Sequence, residues 1–173
     1  MNIRKATVSD APALAALNHS VQNMHADAFP EKFRRDTPDE SVARVFSTAI
    51  QSPSNYWLVW VEEQPIAFIC AEFREHDENW CVVAHRSCYL SGIVVAPQFR
   101  RKGIARALLE ELKREAAARR VTSIELDVWA FNEQAKRTFA TLGFRGMREK
   151  MTLVMEKPNQ APEPTAPSGR GSA

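Results

Sequence analysis

The stretch that most constrains this chain runs from Leu90 to Ala118, LSGIVVAPQFRRKGIARALLEELKREAAA. It opens with a β-branched apolar run, Ile93, Val94 and Val95, which Pro97 brings to a stop. Gln98, Phe99, Arg100, Arg101, Lys102 and Gly103 then form a short basic turn. Beyond it Ile104, Leu108, Leu112 and Ala116 recur every four residues, with Ala105 and Leu109 beside them, which is the apolar stripe of an amphipathic helix. A strand that feeds a helix through a basic turn makes a cradle for an anion. The first turn of the helix has backbone N–H groups without intrahelical partners, and the macrodipole adds partial positive charge there. Gly103 allows a ligand close to the backbone, and Arg100, Arg101 and Lys102 add charge. A pyrophosphate suits such a turn, yet neither a Walker loop nor a dinucleotide fingerprint is present.

A chain of 173 residues is expected to form one domain with a proper core. The net charge of +2 argues against a dedicated nucleic-acid binder. No apolar run reaches the ~18 residues of a membrane span, and the first residues lack the apolar core of a signal peptide. Cys70, Cys81 and Cys88 fit no zinc spacing, so no metal is expected and the thiols are read as reduced. Cytoplasm is the expected location.

Residues 2–7 read as a first strand, followed by a helix capped by Ser9 or Asp10, with Ala13, Leu14, Leu17 and Val21 on its buried stripe. A less regular segment, 22–38, precedes a second helix carrying Val42, Val45, Phe46 and Ile50 on one face. Tyr56 to Val61 and Ile66 to Phe73 form an antiparallel hairpin, and His85 to Val95 is a long strand leading into the cradle. After the cradle helix, Thr122 to Trp129 alternates, and the resulting βαβ unit makes its two strands parallel. Asn132 caps a further helix that ends at Gly143, and Met147 to Lys157 reads as a last strand. The remainder, 158–173, has almost no apolar residue beyond alanine and is expected to be a disordered tail outside a domain of residues 1–157.

Two segments carry a family resemblance. Arg100-Arg101-Lys102-Gly103-Ile104-Ala105 resembles the R/Q-x-x-G-x-G/A acetyl-CoA signature of the GCN5-related N-acetyltransferase (GNAT) superfamily. Asn132 to Ala135, ending at Leu142-Gly143-Phe144, resembles its N-x-x-A…GF signature. The element order matches that fold from the first strand to the last. The resemblance implies an α/β (α+β) GNAT fold: a mixed, mostly antiparallel sheet of about six or seven strands, a central parallel pair splayed at a bulge, and four helices. It implies acetyl transfer from acetyl-CoA to a primary amine by direct attack on the thioester. The acceptor is expected to be a small molecule, since no peptide-docking extension is evident. A homodimer is possible, with the aromatic run Tyr56 to Trp60 either at its interface or buried in the monomer.

By the same resemblance, Ile93, Val94 and Val95 form the wall for the pantetheine, with Gly92 a natural bulge position, and Gln98 to Ala105 hold the pyrophosphate with Arg100, Arg101 and Lys102 as electrostatic helpers. Asn132 contacts the cofactor as well as, or instead of, capping its helix. The chain departs from its relatives at the proton-handling positions. Where many carry a tyrosine acid seven residues after the asparagine, Phe139 stands here, and where some carry a strand glutamate, Ser91 does. A phenylalanine has no proton to give and serine is a weak base. Candidate bases are therefore Glu72 first, then Asp127, Glu125 and His85, with Tyr89 as a further hydroxyl. His25, Phe29 and Phe33 could wall the acceptor pocket or simply pack a helix end. A second reading, a CoA-binding regulatory module without catalysis, draws on Phe139 and Ser91. A nucleotide domain using the turn for ATP is a third.

Overall fold

The computed structural model describes residues 2–155. Five strands and four helices follow one another: β1 (Ile3–Lys5), α1 (Ala11–Ala28), α2 (Asp39–Gln51), β2 (Asn55–Val61), β3 (Pro65–His76), β4 (His85–Val95), α3 (Ile104–Ala118), β5 (Ser123–Glu125) and α4 (Glu133–Thr141). The strands lie in one sheet in chain order. Every neighbouring pair is antiparallel except β4 and β5, which run parallel across the α3 crossover.

Alternation along the strands sorts their side chains onto two faces. Leu58, Ile69, Ala71, Cys88 and Leu90 pack with Ile104, Leu108, Leu109 and Leu112 of α3. On the opposite face Trp57, Val59, Phe68, Cys70 and Val94 meet Leu14 of α1 and Phe46 of α2. The four-residue stripe read from the sequence is thus the buried face of α3. Tyr56 to Val59 are buried within the chain itself, so its own core accounts for most of the aromatic run. Val45 turns outward, 65% exposed, while its expected companions Phe46 and Ile50 pack inward. Among the described residues no helix is long and apolar enough to cross a membrane.

The sheet has five strands among the described residues, fewer than expected. The alternation at Thr122 to Trp129 yields ladder pairing only over Ser123–Glu125. Residues 147–155 of the expected last strand pair with nothing, and Met151 and Leu153 are 89% and 84% exposed. The strand that would neighbour them, β5, itself spans only Ser123–Glu125. Residues 156 and 157 of that strand, and the expected tail, lie outside the described residues.

One half-buried ion pair fixes the start of α1. Asp10, 6% exposed, accepts from both Arg4 guanidinium nitrogens (2.7 and 2.8 Å), the Thr7 amide (2.7 Å) and the Thr7 hydroxyl (2.9 Å). The Arg4 bond outweighs the cost of burial and lowers the carboxyl from 3.8 to about 2. A depressed carboxyl stabilises the fold fully above its unfolded value and ceases to do so as pH falls toward its folded one. Asp10→Asn is expected to lower the unfolding free energy by about 2 kcal/mol at pH 7 in urea titrations. The difference from the unmodified chain should shrink between pH 4 and pH 2.

Candidate active site

The parallel pair β4–β5 comes apart early. Ser87, Cys88 and Tyr89 face Ser123, Ile124 and Glu125, and no pairing follows, although β4 continues to Val95. On its other edge β4 carries a bulge. Cys70 faces Gly92 and Ala71 faces Leu90, leaving Ser91 as the extra, exposed residue. A Cβ at Gly92 would lie 3.4 Å from the Cys70 sulfur, a close but ordinary contact. From Leu90 to Val95, therefore, β4 has a partner on one edge only. Ile93 and Val95 turn toward the α3 side and Val94 toward the α1 side.

The chain leaves β4 through a single 3-10 turn, Pro97–Phe99, and enters α3 through two residues in left-handed conformation, Arg101 (φ 62°) and Gly103 (φ 81°). Gly103 is the N-cap and has no side chain to satisfy the helix end. Among the described residues, none of the backbone N–H groups from Arg101 to Arg106 has a hydrogen-bond partner, and the first intrahelical bond runs from Ala107 N–H to the Gly103 carbonyl at 3.0 Å. A Cβ built on Gly103 would meet nothing within 4 Å, so the space over this turn is open. Arg100 folds back to donate from Nε to the Val95 carbonyl (3.1 Å), and Lys102 Nζ lies 5.1 Å from the centre of the Phe99 ring. Gln98 is exposed; Ile104 is buried in the core and Ala105 half-buried. Consecutive amides left unused among the described residues, in a turn of left-handed residues, give it the geometry of an anion nest.

Across the opening, the Oδ1 of Asn132 accepts from the Ala135 N–H (3.0 Å) and caps α4. Its amide nitrogen remains for other use. Phe139 is half-buried, edge-on to Phe144 with centroids 5.6 Å apart.

Glu72, Asp127 and Tyr89, of the candidate proton-handling groups, come together on the α1 face. Cys88 and Leu90 point toward α3, so Tyr89 points the other way, as does its register partner Glu72. Both carboxylates there already have partners. Glu72 Oε2 accepts from Arg74 Nε (2.8 Å) and Nη2 (2.7 Å). The Tyr89 hydroxyl donates to Asp127 Oδ2 (3.1 Å), and Arg148 Nη2 lies 3.8 Å from Asp127 Oδ1. Arg74 stacks on the Tyr89 ring, 4.2 Å from its centre. Burial, with the Asp127 bond next, pushes the Tyr89 phenol up. Glu125 accepts from the Ser123 hydroxyl (3.1 Å), and His85 sits at the far end of β4 with its Nδ1 2.9 Å from the Val83 carbonyl, away from the opening.

Two residues beyond Asp127, Trp129 joins a cluster of rings. It lies 4.9 Å from Phe29, 5.4 Å from Phe33 and 6.1 Å from His25, centre to centre. Phe131 lies 5.7 Å from Phe29. Helix α1 runs through Ala28 and carries His25 on its last turn, which brings that ring here. Desolvation lowers the His25 imidazole. Trp129 and Phe131 did not emerge from the sequence as partners of His25, Phe29 and Phe33. Their only signal is that Trp129 closes the alternating segment on the phase of Glu125 and Asp127, with Phe131 two residues further on.

A sheet opened at its one parallel pair, beside a helix end with unused amides, is the arrangement of acyltransferases that draw on a pyrophosphate-bearing thioester. The sequence profile of the acetyltransferase (GNAT) family matches residues 18–144, and the chain belongs to that family. It is an N-acetyltransferase by that membership. Among solved structures, a tetramutant of the BH1408 protein from Bacillus halodurans is 30% identical, covers 90% of this chain and 100% of its own, and superposes with a TM-score of 0.83. The aminoglycoside 6'-N-acetyltransferase AAC(6')-Ih from Acinetobacter baumannii is 21% identical over 91% of this chain and 99% of its own, with a TM-score of 0.69. A third, the aminoglycoside N-acetyltransferase AAC(6')-Iy in complex with CoA, is 19% identical over 88% and 93%, with a TM-score of 0.66. At those identities the last two speak to the fold. No curated protein matches the sequence.

Proposed function

We propose that this chain moves an acetyl group from acetyl-CoA to the primary amine of a small molecule. The observation that carries the reading is the run of amides from Arg101 to Arg106, unpartnered among the described residues, set beside a strand with no strand partner on that edge from Leu90 to Val95, where Arg100 Nε donates to the Val95 carbonyl. Acetyl-CoA supplies an acetyl group activated as a thioester, with a good leaving thiolate. The amides from Arg101 to Ala105 hold the pyrophosphate, since those of Phe99 and Arg100 are bonded to the Ala96 and Pro97 carbonyls, and the charges of Arg100, Arg101 and Lys102 help. The free edge at Ile93, Val94 and Val95 takes the amides of the pantetheine arm, and Asn132 offers its amide nitrogen from the opposite side. Phe139 adds apolar surface on that side.

The amine attacks as its free base. A nitrogen–carbon bond forms, the carbon–sulfur bond breaks, and sulfur keeps the pair. The ammonium proton needs an acceptor on the α1 face. Asp127 suits this best, since it lies just past the last paired residues of β5 and Tyr89 fixes its orientation. Glu72 stands behind it because its acceptor oxygen is committed to Arg74. Ser91, exposed on the bulge, is suited to hydrogen-bond the reactants and not to take a proton. The aminoglycoside substrates named for two structural relatives support a small amine as acceptor.

With Phe139 where relatives place a tyrosine acid, sulfur leaves unprotonated or is protonated by water. Phe139→Tyr is expected to raise kcat about threefold or more at saturating substrate while KM for acetyl-CoA stays within about twofold. An unchanged kcat would show that sulfur protonation does not limit turnover. The same phenylalanine favours a second reading, a CoA-binding module without catalysis. Thiol release with a broad amine panel separates the two: steady turnover with any amine removes the binding-only reading, and tight CoA binding without turnover supports it.

A further inference from the structure

The ring cluster at the α1 end of the opening bears on which amine is taken. His25, Phe29, Phe33, Trp129 and Phe131 come from two separate segments, the end of α1 with its following turn and the run after β5. An ordinary packing cluster would be closed off. Here Trp129 and Phe131 are each 37% exposed. The face of Phe29 already attracts a cation, with Lys32 Nζ 4.9 Å from its centre. Of the carboxylates nearby, Glu72 is paired with Arg74 and Asp27 with Arg35, which leaves Asp127, oriented by Tyr89 with Arg148 at 3.8 Å, as the acid the rim offers an amine. A polyamine or aminosugar carries several charges and needs several unpaired acids to meet them. This rim offers ring faces instead.

Resting on the acetyl-transfer reading, we infer that the acceptor is a monoamine on a flat aromatic body, which packs on the exposed surface of Trp129 and Phe131 while its amine reaches toward Asp127. Trp129 follows Asp127 by two residues, so the carboxylate and the ring cluster belong to one short segment of chain. Stacking supplies apolar contact without asking for a second counter-charge. His25, its imidazole lowered by burial, adds no competing cation to the cluster at neutral pH.

The test uses the full chain with saturating acetyl-CoA and four probe amines, 2-phenylethylamine, tryptamine, spermidine and kanamycin. Expected is a kcat/KM for phenylethylamine at least tenfold above that for spermidine or kanamycin. Trp129→Ala should raise KM for phenylethylamine at least tenfold, Trp129→Phe should restore most of it, and CoA affinity of both variants should match the parent, with Tm lowered in Trp129→Ala by the packing lost against Phe29 and Phe33 and held in Trp129→Phe. Equal or higher kcat/KM for the polycations, or an unchanged KM in Trp129→Ala, overturns the inference and leaves acetyl transfer standing. A separate arm titrates phenylethylamine against tryptophan emission without acetyl-CoA. Quenching that Trp129→Phe abolishes, with no amine turned over, supports the recognition while defeating acetyl transfer. No quenching and no turnover defeats both.

Discussion

Gly103→Val should weaken acetyl-CoA binding by about a hundredfold, near 3 kcal/mol, in a calorimetric titration. Two effects add. The residue sits at φ 81°, where a β-branched side chain is strained, so the turn that aims the amides would relax. The position of its Cβ is open space in the protein, with nothing within 4 Å, so the added methyls would stand where the ligand must approach. Because no protein neighbour is displaced, overall stability should fall by only the strain, and the helix content of the variant should match the parent. Gly103→Ala, with one methyl, should cost about tenfold. A valine variant that binds acetyl-CoA normally would remove the pyrophosphate from this turn.

Asp127→Asn should lower kcat/KM about a hundredfold at neutral pH, the range typical for loss of a positioned base. Asparagine keeps the shape and can still meet the Tyr89 hydroxyl, now 3.1 Å from the carboxylate, so the loss would report proton transfer and not collapse of the rim. KM for acetyl-CoA should hold, since the change lies off the cradle. Tyr89→Phe, which removes only the orienting bond, should cost about tenfold or less. Should Glu72→Gln produce the large loss and Asp127→Asn a small one, the proton goes to the hairpin strand, and Arg74 would have to release it first.

The cradle was legible because its signals are local. Pro97 ends a strand, Gly103 marks a left-handed turn, and the spacing from Ile104 to Ala116 requires a buried helical stripe, so element type and order follow from neighbours in sequence. The parting of the parallel pair could be placed only roughly. It depends on where hydrogen bonding between β4 and β5 stops, a long-range matter that alternation does not report. The bulge illustrates this: Gly92 carries the visible signal, yet the extra residue is Ser91, because register is set by Cys70 and Ala71 on the opposite strand. Alternation at Thr122 to Trp129 overstated β5 for the same reason, since a pattern of faces does not supply an edge. Side-chain pairings were the least legible. Nothing near Glu72 in pattern marks Arg74 as its partner, and Trp129 meets Phe29 across a hundred residues of intervening chain.

The central claim is that CoA lies along the amides at the start of α3 and the free edge of β4. Amide hydrogen exchange of the full chain, followed with and without saturating CoA, tests it most directly. The account predicts slowed exchange in peptides covering residues 92–95 and 98–106, with little change in β2 or α2. CoA binding that leaves those two stretches exchanging as before would contradict it.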